Sequence, residues 1–202
     1  MVEPREALEA GIRGEIPLVV YQWRAWGGFL VNKIAPDAVM IEASPDDHAD
    51  RIIERLPATP GAFLFHINSS LTEAFPVERR KLISALRDRG WIPCNDAVVD
   101  IRKRAIQERL GVNGCRSVSA TRQGAPDDLM VVKSDYNYGG RHERTLSEES
   151  RAALGLEQLP PSWMNGENYL AIPRAEVAEE WWNDASLTVE RFVGNRDGHY
   201  FR

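Results

Sequence analysis

The stretch Val131-Val132-Lys133-Ser134-Asp135-Tyr136-Asn137-Tyr138-Gly139-Gly140 runs from an apolar strand, through a lysine at its end, into a short polar loop that closes on paired glycines. A lysine so placed reaches a phosphate from the end of a strand, and glycines let backbone N–H groups come close to phosphate oxygens. Further along, Leu187-Thr188-Val189-Glu190-Arg191-Phe192-Val193 reads as a second apolar strand, followed by the polar turn Gly194-Asn195-Arg196-Asp197-Gly198. Such a strand offers backbone groups to an adenine edge, and the acidic residue after it offers a carboxylate to a ribose. Each piece also has an ordinary reading. A lone lysine is usually a solvated charge, Tyr138-Gly139 suits a hairpin turn, Glu190 fits the outward side of an alternating strand, and Asp197 sits in common turn composition. Order and spacing together point to a nucleotide site.

That order resembles the ATP-grasp superfamily, which includes glutathione synthetase and D-alanine–D-alanine ligase. Lys103, in Asp100-Ile101-Arg102-Lys103-Arg104, stands where the family places its first ATP lysine, although a solvated basic helix face explains the same residues. Lys133 matches the second lysine. Asn137-Tyr138-Gly139-Gly140 matches the loop that folds over the phosphates. Glu190, Arg191 and Val193 match the hinge strand that lines the adenine slot, and Asp197 falls near the ribose-binding acid. The resemblance implies a pre-ATP-grasp-like α/β domain over residues 1–94. It implies a partial ATP-grasp nucleotide-binding domain, α+β in type, over residues 95–202, ending near the hinge strand. The implied ligands are ATP, Mg²⁺ and a small carboxylate, which an amine or thiol attacks after activation as an acylphosphate. The family's Mg²⁺ ligands would lie beyond Arg202, so the resemblance covers the front part of such an enzyme, and the isolated chain is expected to have little ligase turnover. Two other classes fit the residues: a non-catalytic nucleotide-binding or regulatory module, and a structural α/β interaction domain.

Composition sets outer bounds. The chain has 202 residues with 43 % hydrophobic and 27 % charged, ordinary for a soluble globular protein. Its formal net charge of −5 argues against a general nucleic-acid binder. Two cysteines, Cys94 and Cys115, form no C-x-x-C motif and suit a reducing, cytoplasmic compartment. The N-terminus lacks the basic and apolar regions of a signal peptide, and the apolar runs are too short to span a bilayer.

Residues 1–94 read as alternating strands and helices, which implies a mostly parallel sheet. Pro17–Tyr21, Ala38–Ile41 and Gly61–Ile67 are the strand candidates. Ser44-Pro45 and Pro76 read as helix starts, and Gly90 as a stop. The serine after the third strand reads first as a satisfied loop residue; the ATP-grasp resemblance, which turns this strand end toward a ligand cleft, implies Asn68 and Ser69 as candidate substrate contacts. Beyond residue 95, Ile101, Ala105, Ile106 and Leu110 predict an apolar helix face with Lys103 on the polar side. Leu129–Lys133 predicts a strand, Ser147 a helix cap, and Glu176–Trp182 a short helix. Pro160-Pro161 and Asn165-Gly166 read as turns. Unpaired strand edges would favour self-association, so a homo-oligomer is compatible with this reading.

Overall fold

Strands apolar along their whole length need cover on both faces, which a parallel sheet flanked by helices supplies. The computed structural model describes residues 3–67, 75, 76, 78–156 and 169–194. In it Leu18–Gln22 (β1) is buried at all five positions. It lies between Val39–Glu42 (β2) and Ala62–His66 (β3), with Ile92–Cys94 (β4) beyond β3. The sheet order is β2-β1-β3-β4, parallel throughout. Helices Pro4–Ile12 (α1), Leu30–Ile34 (α2), Ala49–Glu54 (α3) and Arg79–Asp88 (α4) connect or flank these strands.

Alternation along the strands divides this core in two. Leu18, Val20, Ala62, Leu64 and Cys94 pack with Ala7 and Ala35. On the other face Tyr21 meets Phe63, Phe65 and Phe75 with ring centroids 6.0–6.5 Å apart. Gly61 leads into β3 where a side chain has no room: a Cβ there would lie 2.0 Å from Pro17 O, the acceptor of Ala62 N–H. Arg79 is buried at the start of α4, its guanidinium 4.5 Å from the centre of the Phe65 ring. It donates to the carbonyls of Phe75, Asn95, Asp96 and Val98, which ties the segment after β4 to the helix.

A second sheet has order β6-β5-β7, with Leu129–Ser134 (β5) between Leu170–Pro173 (β6) and Leu187–Arg191 (β7), antiparallel on both sides. Met130, Val132, Leu187, Val189 and Val177 form its core, with Trp181 and Trp182 packed against them. Helix Lys103–Val112 (α5) precedes β5. Helix Glu148–Ala153 (α6) follows it, capped by Ser147 Oγ, which accepts Ser150 N–H at 3.2 Å. The protein is thus a mixed α/β chain with one parallel and one antiparallel sheet. It divides into two compact units, Met1–Asp100 with Thr145–Glu157, and Ile101–Arg144 with Gln158–Arg202. Among the described residues no helix is long and apolar enough to cross a membrane.

Several local expectations are corrected. The helix expected at Ser44 starts at Ala49, because Asp47 closes a turn first: its Oδ2 accepts both Ser44 N–H and the Tyr21 hydroxyl, each at 2.8 Å. The helix expected at Pro76 starts at Arg79, after Glu78 in the left-handed region at φ 63°. Glu176–Trp182 is not one helix but two 3₁₀ turns, Arg174–Glu176 and Glu179–Trp182. Asn68, Ser69, Asp197 and the turns at Pro160-Pro161 and Asn165-Gly166 lie outside the described residues.

Candidate functional site

β5 and β7 are registered with Val131 opposite Glu190 and Lys133 opposite Thr188. Period-2 alternation therefore puts Lys133 and Glu190 on one face as diagonal neighbours, away from the Met130–Val132–Leu187–Val189 core. Lys133 Nζ meets Glu190 Oε2 at 2.5 Å, with the side chains only 19 % and 8 % exposed. Glu190 is not the outward residue that strand alternation alone suggested. Its second oxygen, Oε1, is buried and has no hydrogen-bond partner. A buried carboxylate oxygen left without a donor costs on the order of 1–3 kcal/mol, which a ligand N–H would relieve.

α5 brings a second lysine to this region. Lys103 N–H bonds Asp135 O at 2.9 Å, and Arg104 N–H bonds Asp135 Oδ1 at 2.7 Å, so Asp135 caps the helix from the end of β5. Lys103 Nζ donates to Ser134 O at 2.7 Å and Tyr136 O at 2.5 Å. An ammonium has three donors, so one remains after these two bonds. Burial pushes the Lys103 pKa down to about 8. The Lys133 charge adds to that fall, and Asp135, Glu190 and Glu143 oppose it. Burial also raises the Asp135 pKa, against the pull of its bond from Arg104.

This reverses the expected orientation of α5. Lys103 turns inward, whereas Ile106 and Leu110 are 43 % and 36 % exposed, and the helix buries no residue. The carbonyls at the end of β5, together with Asp135, outcompete a weak apolar stripe. Arg104 adds to the attachment by donating to Leu187 O at 2.7 Å and Asp184 O at 3.2 Å.

Asn137–Gly140 forms a 3₁₀ turn two residues after β5. Gly139 and Gly140 are buried at φ 63° and 73°, where a side chain is strained. Among the described residues the next strand in the chain is β6, which begins at Leu170, so the turn does not join two strands as a tight β-hairpin. Lys103 holds its entrance through Tyr136 O.

Lys103, Lys133 and Glu190 are therefore brought together, with Gly139 and Gly140 on the loop that leaves the same strand. Arg191 and Val193 are placed apart from them. The Arg191 guanidinium donates to Ser117 O at 2.9 Å, and its N–H is committed to Val118 O. Val193 follows the strand and is 66 % exposed. Asp135 and the Lys133–Glu190 pair were missed as site features. The pair could have been found by laying the two strands antiparallel and following the alternation. Among the described residues no cluster of three or more His, Cys, Asp or Glu side chains is placed to hold a metal ion. A cavity of about 530 Å³ lies against α4 and mixes Arg79, Arg80 and Arg87 with Asp88 and Asp96. Comparison of the chain with protein-family models, curated proteins and solved structures gave no match.

Proposed function

We propose that the unit built on β5 and β7 binds an adenine nucleotide and is the ATP-binding part of an ATP-grasp-like carboxylate–amine or carboxylate–thiol ligase. The observation that carries this reading is the buried Lys133–Glu190 pair with its unpartnered Oε1, beside a second inward lysine. Two ammonium groups close enough to act on each other suit polyphosphate oxygens, and the free acceptor of Glu190 suits the exocyclic amine of adenine. Gly139 and Gly140 have the backbone freedom for N–H groups to approach phosphate. The antiparallel three-stranded sheet with a preceding helix is compatible with the front of such a nucleotide-binding domain. ATP would supply the phosphoryl group that activates a carboxylate. The part of this chain's residues is to bind and align it, the effect that dominates phosphoryl transfer.

Calorimetric titration with ATP, with and without Mg²⁺, tests the reading. A charge-assisted contact contributes about 1.5–3 kcal/mol, so Lys133→Ala is expected to weaken ATP binding roughly tenfold or more. The comparison is made below the melting temperature of the variant, confirmed by circular dichroism. Equal affinities for wild type and variant remove Lys133 from the site. ADP formation that depends on an added carboxylate separates a ligase from a module that only binds.

A further inference from the structure

Helix α5 carries an arginine and a glutamate one turn apart that do not pair. Arg104 and Glu108 stand at i and i+4, where opposite charges on a helix surface ordinarily meet. Here Arg104 Nη2 is drawn to main-chain carbonyls instead, Leu187 O at 2.7 Å and Asp184 O at 3.2 Å. Those two bonds use both hydrogens of Nη2 and fix the guanidinium at the start of β7. The Nε and Nη1 hydrogens make no bond among the described residues. The Glu108 carboxylate makes none either, to Arg104 or to any other described residue.

These two residues border a cavity of about 320 Å³. Its apolar wall comes from Leu187 and Val189 of β7 and from Trp181 and Trp182, half-buried side chains packed against them. All six residues belong to the unit of the antiparallel sheet. Leu187 and Val189 point to the core face, opposite the face of Lys133 and Glu190, so this cavity is not the place proposed for the nucleotide. Ligand pockets span about 300–1,000 Å³, and this one is at the small end, with room for a single compact molecule.

The charges at the rim select the molecule. A simple cation would answer Glu108 but stand beside the guanidinium, and a simple anion would answer Arg104 but stand beside the carboxylate. A ligand with both charges close together satisfies both, through charge-assisted bonds, which are the strong ones. An α-amino acid carries its ammonium and carboxylate on one carbon, and residues at i and i+4 are spaced to be bridged by such a pair. We propose that the cavity between α5, β7 and the Trp181-Trp182 turn binds a free α-amino acid with an apolar side chain. Its carboxylate accepts from Arg104 Nε and Nη1, its ammonium donates to Glu108, and its side chain lies against the two tryptophans, Leu187 and Val189. An indole face next to Glu108 also favours an ammonium. This site does not rest on the nucleotide reading.

The test is calorimetric titration of the full chain, without nucleotide, with L-leucine and L-phenylalanine. L-leucinamide lacks the carboxylate, isocaproate lacks the ammonium and glycine lacks the apolar side chain, so these three serve as controls. Saturable binding of L-leucine or L-phenylalanine is expected, with L-leucinamide and isocaproate at least about tenfold weaker, the loss of one charge-assisted contact. Glycine should bind more weakly as well. The Trp182 indole N–H resonance should shift and saturate with the same affinity. Glu108→Gln removes a charge that holds no described residue, so its amide spectrum should match wild type while L-leucine binds at least about tenfold more weakly. The proposal is overturned if neither amino acid binds saturably, or if any control binds as tightly as L-leucine. Saturation without a shift at Trp182, or wild-type affinity in the Glu108→Gln chain, overturns it too. The wild-type titrations decide the matter even if the variant does not fold. Because no nucleotide is present, failure here leaves the ATP titration to stand or fall by itself.

Discussion

Removing the Glu190 carboxylate should strongly destabilise the antiparallel unit. Glu190→Ala leaves the Lys133 ammonium facing a site where its own side chain is only 19 % exposed. Breaking a buried pair by deleting one partner costs about 3–5 kcal/mol, because the other charge stays desolvated. Lys133 retains some contact with water, so the low end, about 3 kcal/mol, is expected. That is a large share of a total stability of about 5–15 kcal/mol. Lys133→Met in the same background removes the orphan charge, so the double variant should be more stable than Glu190→Ala alone. A coupling of roughly 1–3 kcal/mol follows for residues in direct contact. Native-state amide exchange at Val132 and Val189 reads this unit specifically, which matters because a two-unit chain need not unfold in one step. If the double variant equals the sum of the single changes within about 0.5 kcal/mol, the pair does not hold β5 to β7 and the reasoning fails.

Lys103 gives a pH signature. Its folded pKa of about 8 lies below its ordinary 10.5, so between those values the unfolded chain holds more protons and stability should rise with pH. Below pH 8 the lysine is charged in both states and the cost of its burial is fully present. Urea midpoints from pH 7 to 10 should show a rise that Lys103→Met lacks; an identical rise in the variant refutes the assignment. Gly140→Val should weaken ATP binding while leaving adenosine binding nearly unchanged, because φ 73° is closed to a branched residue. A parallel loss of both would mean that the substitution damages the fold. Gly61→Ala should destabilise the parallel unit by at least about 1–3 kcal/mol, since its Cβ would press on the carbonyl of Pro17. A melting temperature within a degree of wild type would show that the backbone there yields freely.

The parallel sheet was legible because Leu18–Tyr21 and Ala62–Phe65 are apolar on both alternating faces, which only a doubly covered strand requires. The Ser147 cap was legible because it is a local hydrogen bond. What escaped was decided by distant partners. The periodicity of α5 pointed Ile106 and Leu110 inward, but the carbonyls of Ser134 and Tyr136, thirty residues on, pulled Lys103 in instead. Glu190 read as outward because alternation distinguishes two faces without saying that the second is covered. Here Lys133, from a strand more than fifty residues earlier, covers it.

The way α5 is attached has a thermal consequence. It is fastened by Lys103, Arg104 and Asp135 through polar bonds and buries no residue, so lifting it away exposes little apolar surface. Heat-capacity change on opening tracks apolar exposure, at about 0.45 cal/K/mol per Å². The free energy of this local opening should therefore change nearly linearly with temperature, without the curvature expected for opening β5 and β7. Amide exchange of residues 106–112 across a temperature series would reveal a helix that detaches as a unit while the sheet beneath it stays closed.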